Sequence, residues 1–550
     1  MLSLSLVAVL ALLTPVLYLI HAVIAYFKDP KELRRFPTPS PLAALTPLWS
    51  MYYSHNCAQT TTIYSYHQKH GPILRIAPNH ISFTDPAAYK DIYGHGTSLR
   101  KDDFYSNVAD GNPSLSQATD KSIHSGKRRS LAHVFSAREI TAMEPRVMSC
   151  VADLYRAITI KSKGGMLGSE DEYPVTATGS FDIRPWLNMF AYDAVTSMLF
   201  TNNYHFLKKG NDLCPSTDPS GKTTHVHAMH SFHSASRFNS TIGQLTHPFY
   251  NLTRSLLSPS LGNKAGVAFG GMSRFQVLHR LANEPSKPDL FSSFPTKPTE
   301  KRPLPMPVDE LIAECATMLD AGNDTTQSTL TNAIFLLSTT PRVQRKLYRE
   351  LHAALPQDLK ASSNNAELKI PPTSVLKEVP YLKAVLEENW RCRPPVARGL
   401  PRRTTGEGAI IAGVYIPPDV TVSASIYAVH RDESLFRRAG EFIPERWLPC
   451  SPCTSSASDG GSEKGGDGDG VDFTSTESEL QNLKNYCIPF SLGPRACIGR
   501  NLAYMEVSLV VAALVLNFEW EVANPGEEME MVERFNYNPK ELFVRVRPRE

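Results

Sequence analysis

A single cysteine, Cys497, stands among glycines, beside an arginine and just before an apolar run. Gly493 and Gly499 lack a Cβ and would let the backbone approach a flat cofactor. Arg495 can form charge-assisted hydrogen bonds to a carboxylate. The run from Leu502 predicts a helix, whose positive end favours a thiolate over a thiol. Together these residues predict a thiolate ligand to a haem iron; the alternative is an inert cysteine at a strand–turn–helix corner.

A second group of polar residues interrupts a helix that is predicted to begin at Pro307. Gly322, Asp324 and Thr325 lie in its middle, against local helix preference, and such a conflict often marks function. A carboxylate next to a hydroxyl can relay the protons that dioxygen needs to leave one oxygen as water. The alternative is that both side chains bond only to their own backbone.

Two further pairs have helical spacing. Glu388 and Arg391 lie three apart in a predicted helix, so they share a face and can pair. If that pair is buried, breaking it would be costly. His124 and Arg128 lie four apart on another predicted helix face. For these two the alternative is a solvated basic face, because Lys127 and Arg129 flank Arg128.

The segment around the cysteine fits the pattern Phe-x-x-Gly-x-Arg-x-Cys-x-Gly through Phe490, Gly493, Arg495, Cys497 and Gly499. It resembles the haem-binding loop of the cytochrome P450 superfamily, with five fixed residues in ten. The resemblance implies that all five form the binding site of haem b and that the cysteine is the axial ligand.

The other motifs occur in the order that the family has them. The block 321–326 resembles the family's oxygen-binding motif, which implies that Thr325 holds a water or dioxygen and that Asp324 connects it to bulk protons. Glu388 and Arg391 resemble the family's Glu-x-x-Arg, which Arg446 would complete as a structural clamp behind the haem loop. The resemblance also implies propionate contacts from three basic residues: His124, Arg128 and Arg402.

The bulk composition limits the class of protein. The chain has 550 residues, 42% hydrophobic and 20% charged, which suits a globular protein with a large core. Its net charge of +3 is too small to argue for nucleic acid. Nine cysteines, an odd number, do not suggest a secreted disulfide framework and fit a reducing compartment.

The first 27 residues contain no Asp, Glu, Lys or Arg. Their length predicts a transmembrane anchor over residues 1–27, whereas a cleaved signal peptide and a buried core helix are the alternatives. Lys28, Lys31, Arg34 and Arg35 follow, so the positive-inside rule places the rest of the chain in the cytosol. A proline-rich hinge over 28–45 then resembles microsomal family members, which implies a single-pass protein of the endoplasmic reticulum membrane.

The remaining residues, 46–550, are expected to form one haem-thiolate domain, mainly α with a small β-sheet region. Alternating residues from Gly71 to Thr84 predict a hairpin. Residues 203–224 suggest a polar connection, and residues 451–479 a flexible insert rich in Ser, Gly and Asp.

The resemblance implies monooxygenation of a small hydrophobic substrate, with electrons from NADPH through a membrane-bound reductase and with cytochrome b5 as a second donor. Local segments resemble filamentous-fungal members, which implies a tailoring step in secondary metabolism or, as the alternative, para-hydroxylation of benzoate-type acids. Two other classes stay open at this point: a haem-thiolate isomerase or dehydratase that needs no dioxygen, and a haem-binding sensor without turnover. The Asp324–Thr325 pair argues against both.

Overall fold

The computed structural model describes residues 17–109, 111–298, 304–357, 359, 368–450 and 473–549. Most of these residues are helical. Numbered in chain order, the helices are α1 (Leu17–Lys28), α2 (Pro41–Leu45), α3 (Leu48–His55), α4 (Gln59–His70), α5 (Pro86–Tyr93), α6 (Phe104–Asn107), α7 (Lys121–Leu131), α8 (Ala137–Ser162), α9 (Arg184–Phe200), α10 (Phe206–Lys209), α11 (Ala228–Ile242), α12 (His247–Leu256), α13 (Leu261–Ala282), α14 (Val308–Thr339), α15 (Pro341–Ala354), α16 (Thr373–Leu376), α17 (Pro380–Cys392), α18 (Ile426–Val429), α19 (Glu477–Tyr486) and α20 (Arg500–Asn517).

Short strands form small sheets at the edges of the helical body. They are β1 (Ile73–Ala77), β2 (His80–Phe83), β3 (Arg100–Lys101), β4 (Phe181–Asp182), β5 (Leu213–Thr217), β6 (Thr223–His227), β7 (Arg402–Arg403), β8 (Ala409–Ile411), β9 (Val414–Ile416), β10 (Thr421–Ala424), β11 (Phe518–Val522), β12 (Met531–Glu533), β13 (Tyr537–Pro539) and β14 (Phe543–Pro548).

The largest sheet has the order β1-β2-β10-β7-β3. The predicted hairpin is its first pair, since β1 and β2 are antiparallel with Ile73 opposite Phe83. β10 joins β2 in parallel and β7 in antiparallel orientation. The antiparallel β3–β7 pair then places Arg402 opposite Lys101. The sheet therefore places basic residues from distant parts of the chain side by side.

The core is helical and centres on α14. This helix of 32 residues begins after Pro307, with Asp309 and Glu310 in its first turn, where acids suit the positive helix end. From Thr326 to Ser338 its residues are buried. It packs against α9 on one side and against α20 on another. Because α20 directly follows Cys497, this packing joins the cysteine segment to the central helix.

Two helices bear on the membrane question. α20 is long and apolar enough to span a membrane, but 72% of it is buried, as expected for a core helix. α1 is shorter, Leu17–Lys28, and exposes several large apolar side chains, including Leu17, Ile20 and Phe27. Most of the predicted anchor, residues 1–16, lies outside the described residues.

Two sequence expectations need correction. The polar connection over 203–224 contains α10 and most of the antiparallel β5–β6 hairpin, whose pairs include Pro215 with His225. The insert predicted for 451–479 overlaps α19, because Thr476 and Glu479 form a reciprocal capping box that starts this helix. Its remaining part, residues 451–472, lies outside the described residues.

Candidate active site

The Cys497 segment is a tight loop between a 3₁₀ turn, Gly493–Arg495, and α20. The Cys497 N–H donates to the Phe490 carbonyl at 2.9 Å and closes the loop. Cys497 is exposed to solvent, yet burial raises the pKa of its thiol more than the Gly499 N–H and the nearby Arg128 and Arg500 lower it. Both observations fit a thiol that faces an internal space. Desolvation is therefore the largest influence on the pKa of this thiol.

The two glycines of the loop have different roles. Gly493 has φ +68°, and a Cβ there would lie 2.2 Å from the Tyr93 carbonyl oxygen. The close approach of the Tyr93 and Gly94 backbone thus requires a glycine here. At Gly499 a Cβ would meet only the Cys497 Sγ, at 3.9 Å. That glycine leaves space open beside the thiol.

Basic side chains converge near this loop. Arg128 donates to the Ala496 carbonyl at 2.8 Å, and Arg495 donates to the Ala118 carbonyl at 2.6 Å. Burial and then Arg402 lower the pKa of Arg495 to about 10. Burial, Arg495 and other cations lower the pKa of His124 to about 4. The predicted residues are therefore close enough to destabilise one another's charges.

The structure adds Lys101 to this group. Burial, together with Arg402 and Arg495, lowers the pKa of Lys101 well below its usual range. Its ammonium lies 4.0 Å from the centre of the Tyr105 ring. Nothing in the sequence near Lys101 signals this role, since the β3–β7 pairing alone brings it to Arg402.

The members of this basic group are Lys101, His124, Arg128, Arg402 and Arg495. None of them forms an ion pair with a carboxylate in the part of the chain that the structure describes. Buried charges are normally paired, so this group fits an anionic ligand with more than one charge. Two propionates are such a ligand, and the residues present therefore fit a haem.

The middle of α14 faces open space in part. Ala321 is exposed although the residues that follow from Asn323 to Leu337 are mostly buried. The Thr325 hydroxyl donates to the Ala321 carbonyl at 2.8 Å, as the backbone-bonding alternative predicted. The helix is continuous here and does not open at Gly322. A Cβ at Gly322 would lie 2.9 Å from the Val195 side chain, so this glycine serves the packing of α9.

Asp324 is buried, with only 2% of its side chain exposed. It accepts hydrogen bonds from the side-chain amides of Asn536, at 2.8 Å, and Asn538, at 2.8 and 3.0 Å. His233 Nε2 lies 3.2 Å from its other side. Burial would raise the pKa of Asp324, but these partners lower it below its usual value. Sequence inspection missed all three partners, which lie 91 to 214 residues away.

The three predicted clamp residues meet in the structure. Glu388 accepts hydrogen bonds from Arg391, at 2.8 and 2.9 Å, and from Arg446 at 2.9 Å. The Trp447 indole and the Ile443 N–H complete its shell, each at 2.9 Å. Burial would raise the pKa of Glu388, whereas the two arginines lower it. The carboxylate is thus ionised and fully satisfied.

His430 joins this clamp to the loop of the cysteine. Its Nδ1 lies 3.1 Å from the Arg391 carbonyl oxygen, and its Nε2 accepts a hydrogen bond from the Ile488 N–H at 3.0 Å. Phe490, two residues further on, packs on Trp390, with ring centres 5.1 Å apart, and on Tyr504 at 5.6 Å. The clamp helix α17 therefore supports the loop through one hydrogen-bonded histidine and an aromatic cluster.

Two cavities lie beyond the loop. One, of about 320 Å³, lies between α11, α13 and α14 and is lined by residues that include Phe232, Thr317 and Asp320. A second, of about 960 Å³ and mainly apolar lining, lies near α1 and α12, with Tyr18 and Phe249 in its wall. Both are large enough for small organic molecules.

The helical fold, a cysteine loop ahead of a core helix and a group of basic residues without a described carboxylate partner define a haem-thiolate protein. The chain belongs to the cytochrome P450 family, since the family model "Cytochrome P450" matches residues 39–546. This confirms the resemblance, the fold class and a haem cofactor held by a cysteine thiolate. The protein is a haem-thiolate oxidoreductase of the monooxygenase family.

Individual relatives are fungal. The chain is 28% identical to "Benzoate 4-monooxygenase bphA" of Aspergillus niger over 97% of this chain and 96% of that protein. It is 29% identical to "Fusicoccadiene 8-ol C-16-hydroxylase" of Phomopsis amygdali over 94% and 89%. A crystal structure of a cytochrome P450 (CYP102L1) matches with a TM-score of 0.67 and 18% identity, covering 94% of this chain and 99% of that one.

Proposed function

We propose that this protein inserts one atom of dioxygen into an apolar organic substrate, with NADPH as the source of electrons. The observation that carries the proposal is the arrangement around Cys497, whose thiol faces an open space beside unpaired cations. Family membership supports the reaction class. A haem supplies, when bound, reduction of dioxygen and transfer of one oxygen atom, while the other oxygen leaves as water.

The residues that would hold the cofactor come from four parts of the chain. Cys497 would be the axial ligand, and Gly499 leaves room beside it. His124, Arg128, Arg402 and Arg495, together with Lys101, would neutralise the propionates. Phe490 would support the loop from behind through its contacts with Trp390 and Tyr504.

The proton path would begin at Asp324 and end at Thr325. Asp324 is ionised, because its asparagine and histidine partners lower its pKa, so it can accept a proton and pass it on. The Thr325 hydroxyl now donates to the Ala321 carbonyl. A rotation about χ1 would free that proton to be donated elsewhere. Glu388, Arg391 and Arg446 would act only as the structural clamp.

The substrate is proposed to be a small hydrophobic molecule, oxidised in a tailoring step of fungal secondary metabolism. The hydroxylase of Phomopsis amygdali supports this class, as its name describes hydroxylation of an alcohol at a second carbon. The relative from Aspergillus niger supports the second candidate, para-hydroxylation of a benzoate-type acid. An acidic residue in the α14 cavity, Asp320, counts against an anionic substrate.

The proposed location is the endoplasmic reticulum membrane, with a single-pass anchor over 1–27, a hinge over 28–45 and one catalytic domain over 46–550 in the cytosol. The apolar surface of α1 and the basic residues after it support this topology. Electrons would come through NADPH–cytochrome P450 reductase, with cytochrome b5 as a second donor.

The central test is spectroscopic. Reduced wild-type protein should give the thiolate type of carbon monoxide difference spectrum, and Cys497→Ser should lose it. A Cys392→Ser variant is the control, because Cys392 is half-buried and lies on α17. Retention of the thiolate-type spectrum by Cys497→Ser would overturn the assignment.

Measuring product formation distinguishes a monooxygenase from an isomerase, a dehydratase or a sensor. With reductase, NADPH and dioxygen, the monooxygenase should form oxygenated products whose added oxygen comes from labelled dioxygen. Product formation without NADPH and dioxygen would instead identify an isomerase or dehydratase. A haem protein with no product from any candidate substrate would favour a sensor.

A further inference from the structure

Asp320 is an acidic residue that the reaction proposed above does not use. It lies on α14, four residues before Asp324, and is half-buried. Whereas Asp324 has three side-chain partners, the Asp320 carboxyl makes no hydrogen bond or ion pair with any residue that the structure describes. Burial, and then the charge of Asp324, raise its pKa to about 7.

The space in front of Asp320 is the cavity of about 320 Å³ between α11, α13 and α14. Phe232 and Phe269 form part of the wall, with ring centres 5.1 Å apart, and Ala313 and Ala316 line it from α14. An unpaired carboxyl therefore lies in a partly apolar cavity of ligand size. A buried polar group without a partner costs free energy unless a ligand completes its hydrogen bonds.

This cavity lies along α14, N-terminal to the residues of the proposed reaction centre. Thr317, which lines it, and Ala321 and Thr325 are spaced by four residues, so they form one row along α14. Asp320 precedes Thr325 by five residues, a distance of about 7.5 Å along the helix axis. Residues five apart also lie about 140° apart around the helix, so a molecule held at Asp320 would meet Thr325 only with a part of its skeleton several bonds away.

The charges around the cavity restrict the group that Asp320 could bind. A carboxylate would be repelled by Asp320 and, further along, by Asp324. Arg254 and Arg274 also line the cavity, as does Asp309, which pairs with Arg274 at 3.4 Å, so the wall carries both signs of charge. A neutral donor is compatible with both signs, and a hydroxyl can pair with the carboxyl in either protonation state.

We propose that Asp320 selects the substrate by accepting a hydrogen bond from a hydroxyl group on an otherwise apolar skeleton. This inference rests on the proposed monooxygenase function and names the substrate class: an alcohol that already carries one oxygen and is oxidised at a second, distant carbon. A reaction that forms a hydroxyl on a hydrocarbon skeleton must therefore supply this substrate.

The test measures binding with cage-shaped probes of equal skeleton on the haem-loaded, full-length protein by isothermal titration calorimetry. The probes are adamantanol, which donates a hydrogen bond, adamantanone, which only accepts one, adamantanecarboxylate and adamantylammonium. At about pH 8.5, above the pKa of about 7 for Asp320, wild-type protein should prefer the alcohol over the ketone about tenfold. Asp320→Leu should remove this preference and bind the carboxylate more tightly than wild type does.

Two further variants keep the result decisive. Asp320→Asn retains an acceptor without charge, so it should keep most of the alcohol preference and gain affinity for the carboxylate. If the leucine variant does not fold, the gain in carboxylate affinity of Asp320→Asn tests the inference. Glu519→Gln is the matched control, since Glu519 is exposed on β11 and lines neither of the two cavities. Its alcohol-to-ketone ratio should stay within about twofold of wild type.

Several outcomes would overturn the inference: an unchanged alcohol-to-ketone ratio in Asp320→Leu, tighter binding of the ammonium than of the alcohol, or an equal loss in Glu519→Gln. These binding outcomes do not depend on turnover. A missing thiolate-type carbon monoxide spectrum would instead reject the proposed function, so the two failures are distinguishable.

Discussion

Two clusters of buried charge contact the Cys497 loop, and they differ in whether the protein itself neutralises them. In the clamp, Glu388 is surrounded by Arg391, Arg446 and two N–H donors. In the basic group, burial and Arg402 lower the pKa of both Lys101 and Arg495, and neither residue has a described carboxylate partner. A satisfied cluster stabilises the fold, whereas an unsatisfied one needs a ligand.

The largest effect should come from breaking the satisfied cluster. Glu388→Ala leaves two buried guanidinium groups without their carboxylate, so the free energy of unfolding should fall by about 3–5 kcal/mol. Urea unfolding followed by circular dichroism measures it. Glu441→Ala is the control, because that carboxylate pairs with Arg438 at the surface and should matter little. A loss no larger than that of the control would contradict the clamp.

Two buried lysines sharpen the comparison directly. Lys161 pairs with Asp171 at 2.6 Å and is fully buried, whereas Lys101 has no described carboxylate partner. Lys161→Met should therefore destabilise the protein by about 3 kcal/mol, because it leaves Asp171 buried and unpaired. Lys101→Met should lower the free energy of unfolding of the haem-free protein by clearly less.

The same two variants should show the opposite order in haem retention. Lys101→Met should release haem faster to an acceptor apoprotein, because a propionate loses a partner, while Lys161→Met should not. If the two variants behave alike in both measurements, the distinction between a satisfied and a ligand-seeking charge fails.

The link between clamp and loop should respond to pH. Burial and nearby arginines lower the pKa of His430 to about 3, below the unfolded value of about 6.5. The unfolded chain then binds the proton more readily, so stability is lost as pH falls below about 6.5. At pH 5 this histidine alone should cost about 2 kcal/mol. Unfolding of His430→Asn should show a shallower acid limb between pH 7 and 5; an unchanged slope would contradict the link.

The smallest effect on stability, but a clear one on chemistry, is expected at Thr325. Thr325→Ala should change the free energy of unfolding by less than about 1 kcal/mol, because only one hydroxyl bond to its own helix is lost. In this variant a larger share of the electrons from NADPH should form peroxide, and a smaller share should form oxygenated product, than in wild type. Thr339→Ala is the matched control, since Thr339 makes the same bond, to the Phe335 carbonyl at 2.8 Å. Equal coupling in both variants would remove Thr325 from the proton path.

Much of the framework was predictable from local patterns. The predicted helix that carries Glu388 and Arg391 is present as α17, and the run from Leu502 lies in α20. Helical spacing also predicted the Glu388–Arg391 pair, because partners three residues apart meet whatever the rest of the chain does. The roles of the site residues stay predictions, although the geometry brings the clamp residues together.

What local patterns did not reveal has a common cause. Tyr93 and Val195, which lie far away in sequence, occupy the space where a Cβ at Gly493 or Gly322 would lie. The β5–β6 hairpin was missed because its polar strands resemble a loop. In each case the decisive neighbour comes from another part of the chain.

The sequence by itself determined the family motif of Cys497, the long central helix and the short-range charge pair, since these depend on residue type and spacing. Only the tertiary structure decided which charges are satisfied. Asp324 is held by asparagines 212 and 214 residues away, while Asp320, one helical turn earlier, faces a cavity alone. Burial makes this difference important, because an acid that lacks partners in a low-dielectric interior keeps its proton longer and remains available to a ligand.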